Sequence, residues 1–390
     1  MNIYLYLKHF PPAGDKFTGG PSKSIHGFAS GLTACGAKVT ILCERPKASS
    51  IVTKYGYKIE CFANPKESLT FSIPNSLKNF LIEKITTQDI VILNGLFFPS
   101  VYSISQILKQ QKKYYIISPR VAYHPFIFQK NPYLKWFYWF LLEKRLLKQA
   151  QALQLQDKRQ AQWLHNLGVK TPIVEVPNGF SPRDVISLQS LEWRTESIPQ
   201  LFYFGRIDAH QKALDLLLQA FARINQHLEA KLTIQGPDDG DQEKLIKMAQ
   251  KLNIANKVTF LEAEYHRSPS EIMANYDIFC LPSRFEGFAN SALEAMLAGR
   301  VLLVSQDDGV TPHVQASGCG VAVEPEVSAI ETGLKQLLSC RSQWQKMGLQ
   351  GREYVLKNLH WQQISTHALA DYQKLLYELN SSEKMKKVKG

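Results

Sequence analysis

The sequence predicts an α/β fold of two doubly wound parallel sheets, one in each half of the chain. Three observations lead there. The length, 390 residues, has room for two domains, each of roughly 150–200 residues. Short apolar runs alternate with helical patterns from end to end, as parallel βαβ units require. And the series is broken once, at Val176-Pro177-Asn178-Gly179-Phe180, after which a loose polar stretch runs to Gln200.

In the first half, residues 3–7, 38–43, 89–93 and 115–118 read as strands. Residues 22–35, 101–111 and 134–150 read as the helices between or after them. Right-handed crossovers then wind one sheet. In the second half the strands are 201–204, 230–234, 257–261, 278–281, 301–304 and 320–323. The helices are 213–225, 241–252, 268–275, 289–297 and 327–339. A last helical pattern covers 361–379 and ends in a basic tail, Lys384 to Lys389. Open α/β sheets bind ligands beyond the carboxyl ends of their strands, so two such Rossmann-like domains are expected to face a cleft.

Composition excludes several classes. The hydrophobic share of 45% and charged share of 21% are those of a globular protein. The six cysteines show no C-x-x-C pair and no metal-ligand spacing, and read as small buried apolar groups in a reducing compartment. Residues 1–7 look like a strand and not a secretory leader, and no apolar run reaches the ~18–20 residues of a spanning helix. The expected location is the cytoplasm, with a peripheral place at the inner face of the plasma membrane left open. Charge is uneven. Residues 1–180 hold 23 Lys and Arg against 9 Asp and Glu, a balance of +14, and the rest balance at −2, giving the net +12. A basic half suits an anionic partner, whether a phospholipid surface or a phosphorylated substrate. No nucleic-acid module accompanies it, so nucleic acid is not expected.

The richest segment is Pro282-Ser283-Arg284-Phe285-Glu286-Gly287-Phe288-Ala289-Asn290-Ser291-Ala292-Leu293-Glu294-Ala295-Met296-Leu297-Ala298-Gly299. A strand ends, a short loop follows, and a helix begins near Ala289. Backbone N–H groups of Phe288, Ala289, Asn290 and Ser291 in its first turn suit an anion or a sugar hydroxyl. Glu294 follows Glu286 by about two helical turns at ~3.6 residues per turn. A carboxylate accepts two hydroxyl hydrogen bonds, which suits a vicinal diol. This segment resembles the E-x7-E signature of retaining glycosyltransferases of the two-domain GT-B type, family 4 above all. The Pro-Ser before it and the Leu-Glu-Ala-Met-Leu-Ala-Gly after it resemble that family too.

The resemblance implies a hexosyltransferase that takes a sugar from a UDP- or GDP-linked donor, with no cofactor and no essential metal. It implies that Glu286 binds donor-sugar hydroxyls and stabilises charge at the anomeric carbon, with Gly287 beside it, and that Glu294 binds the ribose. In Phe204-Gly205-Arg206-Ile207-Asp208, followed by Lys212, it implies that Arg206 and Lys212 grip the donor diphosphate. Here the loop is one residue longer than the commonest spacing, and Ala213 stands where Gly usually follows the Lys. Gly19 and Gly20, opening the first helix, would contact donor phosphate or acceptor. Gly236-Pro237 would border the nucleotide pocket. Asp239-Gly240-Asp241 resembles a metal-holding D-x-D, but Asp241 reads better as a helix cap, and Asp307-Asp308-Gly309 reads as a turn.

Acceptor-side candidates lie in Ile117-Ser118-Pro119-Arg120-Val121-Ala122-Tyr123-His124-Pro125. Its Ser-Pro-Arg resembles transferases of exopolysaccharide and lipopolysaccharide assembly. Arg120 would meet an acceptor phosphate or the donor, and His124 is a candidate for polarising the acceptor. Residues 134–145 carry large apolar groups nearly all round, which predicts burial; a membrane-interface helix of mixed Trp, Tyr and Lys stays open.

The expected domains are residues 1–180 for the acceptor, 198–360 for the nucleotide sugar, and 361–390 as a helix crossing back to the first domain with its basic tail. The expected function is sugar transfer to a glycan or polyprenyl-phosphate-linked acceptor in cell-surface polysaccharide assembly. A nucleotide-sugar epimerase or hydrolase, and a non-catalytic sugar-nucleotide-binding subunit, are the alternatives.

Overall fold

The computed structural model describes residues 1–11, 19–64, 70–121, 123–193 and 197–388, the last seven of these by backbone alone. Thr18, Ala122 and the side chains of the basic tail therefore lie outside the described residues. The chain divides into two compact units. Met1–Gly179 with Trp361–Gly390 forms the first, and Phe180–His360 the second.

The first unit holds strands β1 (Asn2–Tyr6), β2 (Lys38–Arg45), β3 (Ser49–Val52), β4 (Lys58–Ala63), β5 (Ile90–Asn94), β6 (Tyr115–Ser118), β7 (Ala152–Leu155) and β8 (Ile173–Glu175). They form one sheet in the order β3-β4-β2-β1-β5-β6-β7-β8. All pairings are parallel except β3 with β4. Parallel strands are covered on both faces, so they read as unbroken apolar runs. Ile90–Asn94 is buried at every position, and Leu5 sits in register between Ile41 and Ile92. Chain order reverses direction between β1 and β5, which puts the crevice of this unit beyond those two strands.

The second unit holds β9 (Gln200–Phe204), β10 (Lys231–Gln235), β11 (Val258–Leu261), β12 (Ile278–Leu281), β13 (Val301–Ser305) and β14 (Gly320–Val323). Its sheet is wholly parallel, in the order β11-β10-β9-β12-β13-β14. The reversal falls between β9 and β12. The helix Leu214–Ile224 after β9 shows why the layers close: Leu214, Leu217, Leu218, Phe221 and Ile224 line one stripe and are all buried.

The last helix, Trp361–Val388, packs in the first unit against the helix Gly20–Ala34. A side chain on Gly27 would collide with the Trp361 ring, and one on Gly31 with Ser365 Oγ and the Trp361 backbone. The two helices meet only because these positions lack a Cβ. Further along, the Tyr372 hydroxyl meets Gln154 at 2.5 Å.

Three expectations differ from the structure. The stretch after Phe180 is not loose. Ile186 and Leu191 are buried, Trp193 Nε1 donates to the Gly299 carbonyl at 3.1 Å, and Arg300 Nη1 donates to the Glu192 carbonyl at 2.8 Å. Polar composition hid a segment held by a few buried side chains and by hydrogen bonds to the Gly299–Arg300 turn. Residues 134–150 are not one regular helix but Pro132–Tyr138, a π turn at Trp139–Glu143, and Lys144–Gln149. They are also not buried all round: Leu134, Phe137 and Phe140 are mostly exposed.

Candidate active site

The two strands that flank the reversal of the second sheet, β9 and β12, each deliver a loop to the same place. After β9, Gly205 leads through Arg206 to Lys212 and Ala213, a left-handed residue at φ 54 that starts the next helix. After β12, Ser283 to Ala289 leads into the helix Asn290–Leu297. Lys212 Nζ forms an ion pair with Glu286 Oε1, and both side chains are largely buried. Ser283 Oγ donates to the same carboxylate oxygen at 3.3 Å.

Arg284 holds the two loops together. Its guanidinium donates to both oxygens of Asp215 at 2.8 Å, and to the carbonyls of His210 at 2.9 Å and Ala209 at 3.2 Å. Its backbone N–H donates to the Gln211 carbonyl at 2.9 Å. A bidentate arginine fixes angle as well as distance, so it sets where Lys212 meets Glu286. The sequence reading missed this role. Arg284 stands in the signature's flank, but nothing local ties it to Asp215.

The strand-end loops touch backbone to backbone. A Cβ on Gly236, at φ 151, would lie 1.9 Å from the Gly205 carbonyl oxygen, and one on Gly309 would lie 2.2 Å from that of Gly287. Gly236 thus brings the β10 loop, with Pro237, against the β9 loop. Gly309 N–H donates to the Gly287 carbonyl at 3.1 Å, which brings the β13 loop against the Glu286 loop.

That last loop carries a second residue the sequence reading passed over. Asp308, expected as a plain turn residue, is fully buried. Its Oδ1 accepts from Ala289 N–H at 3.1 Å and Val310 N–H at 2.9 Å. Burial, with Glu286 nearby, pushes its carboxyl up to about 7, against the pull of those two N–H groups. The Ala289 donor, expected to face a ligand, is therefore taken by Asp308. Phe288 packs against His313, ring centroids 5.6 Å apart. Asn290 and Ser291 open the helix, and Glu294 lies within it, 6% exposed.

Arg206 does not join Lys212 at the glutamate. Its guanidinium pairs with Asp239 at 2.7 Å and reaches Gln211 at 3.2 Å, half exposed. Asp241 does not cap its helix by side chain. Asp238 Oδ1 takes the N–H groups of Gly240, Asp241 and Gln242, which holds its carboxyl below the usual range. Asp241 Oδ2 accepts instead from Ala209 N–H at 3.0 Å, tying the β10 loop to the β9 loop. Among the described residues, no three His, Cys, Asp or Glu side chains converge as a metal site would need.

The first unit's candidates are placed by its own strand ends. Gly19, at φ 96, precedes the helix that Gly20 begins, with open space around it. Arg120, at φ 63, follows β6 and donates from Nε to Asn94 Oδ1 at 2.8 Å. Asn94 in turn donates to the Tyr6 carbonyl at 3.0 Å. Burial pushes the guanidinium down to about 10, with Tyr372 opposing. His124 is buried and accepts Phe126 N–H at Nδ1, 3.2 Å, capping the short turn Pro125–Phe128. Its ring lies edge-on to Trp163. The residue expected to polarise an acceptor thus also caps this turn.

Residues 192–354 match the family of glycosyl transferases group 1. The group 1 segment thus spans every candidate of the second unit, from Arg206 to Glu294. Beyond it, the chain is 23% identical over 285 residues to the MMP alpha-(1->4)-mannosyltransferase of Mycolicibacterium hassiacum, which is 72% of this chain and 66% of that protein. The chain thus spans just under two thirds of this curated relative. The fold agrees over nearly the whole chain. Sucrose-phosphate synthase from Thermosynechococcus elongatus superposes with a TM-score of 0.76 at 18% identity, over 97% of this chain and 99% of that one. HepE of Anabaena, solved in complex with UDP and glucose, superposes with a TM-score of 0.68 at 16% identity, over 96% and 100%. These likenesses fix a GT-B fold built of two Rossmann-like units.

Proposed function

We propose that the protein is a retaining glycosyltransferase that moves a sugar from a nucleotide-sugar donor to a glycan or a polyprenyl-phosphate-linked acceptor in cell-surface polysaccharide assembly. The observation that carries this reading is the buried Lys212–Glu286 pair at the switch point of the group 1 segment. Without ligand the two charges neutralise each other. A donor divides them: the diphosphate takes Lys212, and the sugar hydroxyls take Glu286. Arg206, half exposed on Asp239, swings to the diphosphate. Glu294 takes the ribose diol, Gly236 and Pro237 border the base, and Gly19 and Gly20 meet phosphate or acceptor. Arg120, held by Asn94, meets an acceptor phosphate or the donor, and His124 is the candidate for polarising the acceptor.

In the reaction the bond between the anomeric carbon and the diphosphate oxygen breaks. The electron pair leaves with the nucleoside diphosphate. The acceptor oxygen bonds to the same face of that carbon, and its proton passes to the departing oxygen. Negative charge grows on the diphosphate, so cations already in position stabilise the transition state more than the ground state. No residue titration and no metal is needed for this sequence.

Two measurements test it. Thermal shifts with UDP, GDP, ADP and their common sugars should pick out one base, with stabilisation of ~2.7 kcal/mol at a hundredfold excess over the dissociation constant. The shift should weaken in Glu294→Ala. The anomeric configuration of the product, read by NMR, should match that of the donor; an inverted product sinks the retaining mechanism.

A further inference from the structure

Among the described residues, sixteen large apolar side chains are conspicuously exposed, and six of them fall between Tyr133 and Leu141. Scattered exposed apolar groups are ordinary; a cluster is not. Tyr133 is 91% exposed, Leu134 68%, Phe137 65%, Phe140 66% and Leu141 54%. At helical spacing these positions form one stripe. The opposite face, with Trp139, Glu143, Leu146 and Leu147, is buried against the unit. The side chains that continue the stripe toward the end of the segment are basic: Arg145 and Lys148, both exposed. Lys130, also exposed, and Lys135 stand at its start. Residues 121–150 contain five Lys or Arg and a single acidic residue, the buried Glu143.

We infer that this stripe lies in the surface of an anionic lipid bilayer, with Tyr133, Leu134, Phe137, Phe140 and Leu141 in the boundary of the acyl chains and Arg145 and Lys148 on the headgroups. The chemistry favours that occupant on two grounds. Aromatic and aliphatic groups side by side with lysine and arginine match the interface, where one part is apolar and the other charged and wet. A second copy of the chain fits badly: a two-fold contact sets each patch on itself, which would bring basic stripe onto basic stripe. The segment lies on the membrane and does not cross it, since no helix among the described residues is long and apolar enough. This inference goes beyond the transfer reaction and stands without it.

The test is sedimentation of the full chain with vesicles, at low salt. One set is phosphatidylcholine alone and the other contains phosphatidylglycerol. The wild type should sediment with the anionic vesicles and far less with the neutral ones, and added salt should release it. Phe137→Ser/Phe140→Ser/Leu141→Ser should weaken partitioning by at least ~tenfold. Arg145→Gln/Lys148→Gln should weaken it by ~thirtyfold on anionic vesicles only, from ~1 kcal/mol for each of the two basic groups. Both variants change exposed side chains, so their melting temperatures should match the wild type, and a match shows that they fold. Three results overturn the inference. The wild type fails to sediment with anionic vesicles. The apolar triple variant sediments as well as the wild type. Or the wild type is a dimer that the triple variant dissociates, with no vesicle binding in either.

Discussion

Two buried carboxyl groups invite comparison, one in each unit. Asp308 and Glu143 are both enclosed, and both are pushed up to about 7. Their settings differ. Burial is the first cause of the rise at Asp308 too, but Asp308 also stands among charges, with Glu286 raising its pKa and Lys212 lowering it. Glu143 stands among aromatic rings, accepting from the Tyr123 hydroxyl at 2.7 Å and Phe97 N–H at 3.2 Å, and burial is what raises it. A perturbed carboxyl is often taken as a sign of a functional site. Here the shift is the same and the meaning is not. Under the proposed function the mutually perturbing charges are where a donor's charge would go, whereas Glu143 answers to packing.

The sharpest break in that comparison comes from Glu286→Gln. Removing the charge that faces Lys212 should lower kcat by ~100-fold or more in donor turnover, and should also lower the melting temperature, because it strands a largely buried lysine charge. Asp308→Ala comes next. It leaves the N–H groups of Ala289 and Val310 without their acceptor, at about 1–3 kcal/mol for a buried group. Denaturant unfolding should show that loss, and turnover should fall with it because the Glu286 loop is released.

Glu143→Gln should leave turnover untouched and change only the pH dependence of stability. The folded pKa lies above the unfolded value, so the protonated folded form is favoured. That stability is fully present below ~4.5 and is lost as pH rises through about 7. Between pH 5 and 8 the wild type should lose roughly 2 kcal/mol through Glu143 that the glutamine variant does not lose. Were the variant to lose activity instead, the contrast between the two carboxyls would collapse. The smallest effect belongs to Tyr123→Phe. It deletes one hydrogen bond to Glu143, for about 1 kcal/mol of unfolding free energy, with turnover unchanged.

Much of the fold was legible because parallel strands are short, apolar and spaced by amphipathic helices. What escaped did so for physical reasons. β7, four residues long, follows closely on an equally apolar helix that ends at Gln149, so it did not stand out as a strand of its own. β3 is exposed along nearly its whole length and too short for an alternating pattern to show. In the site, Lys212 and Glu286 were singled out by the resemblance to retaining GT-B glycosyltransferases, and the structure pairs the two side chains. Asp308 and the Arg284–Asp215 clamp were not legible, since their partners are 19 and 69 residues away in the chain. Burial of the aromatic segment was mispredicted for a related reason. Composition counts apolar groups, but only the neighbouring elements decide which of them are covered.

The packing of Trp361 on Gly27 ties the first unit to the far end of the chain. On a translating ribosome the second unit, Phe180–His360, is complete while the first still lacks its last helix. At ~5–20 residues per second, the ~200 residues between Gly179 and the chain's last turn take on the order of ten to forty seconds. For that interval the face of the helix Gly20–Ala34 around Gly27 and Gly31 stays open. The first unit thus closes only after the second has been made, and a nascent chain stalled near residue 360 leaves the face around Gly27 and Gly31 uncovered.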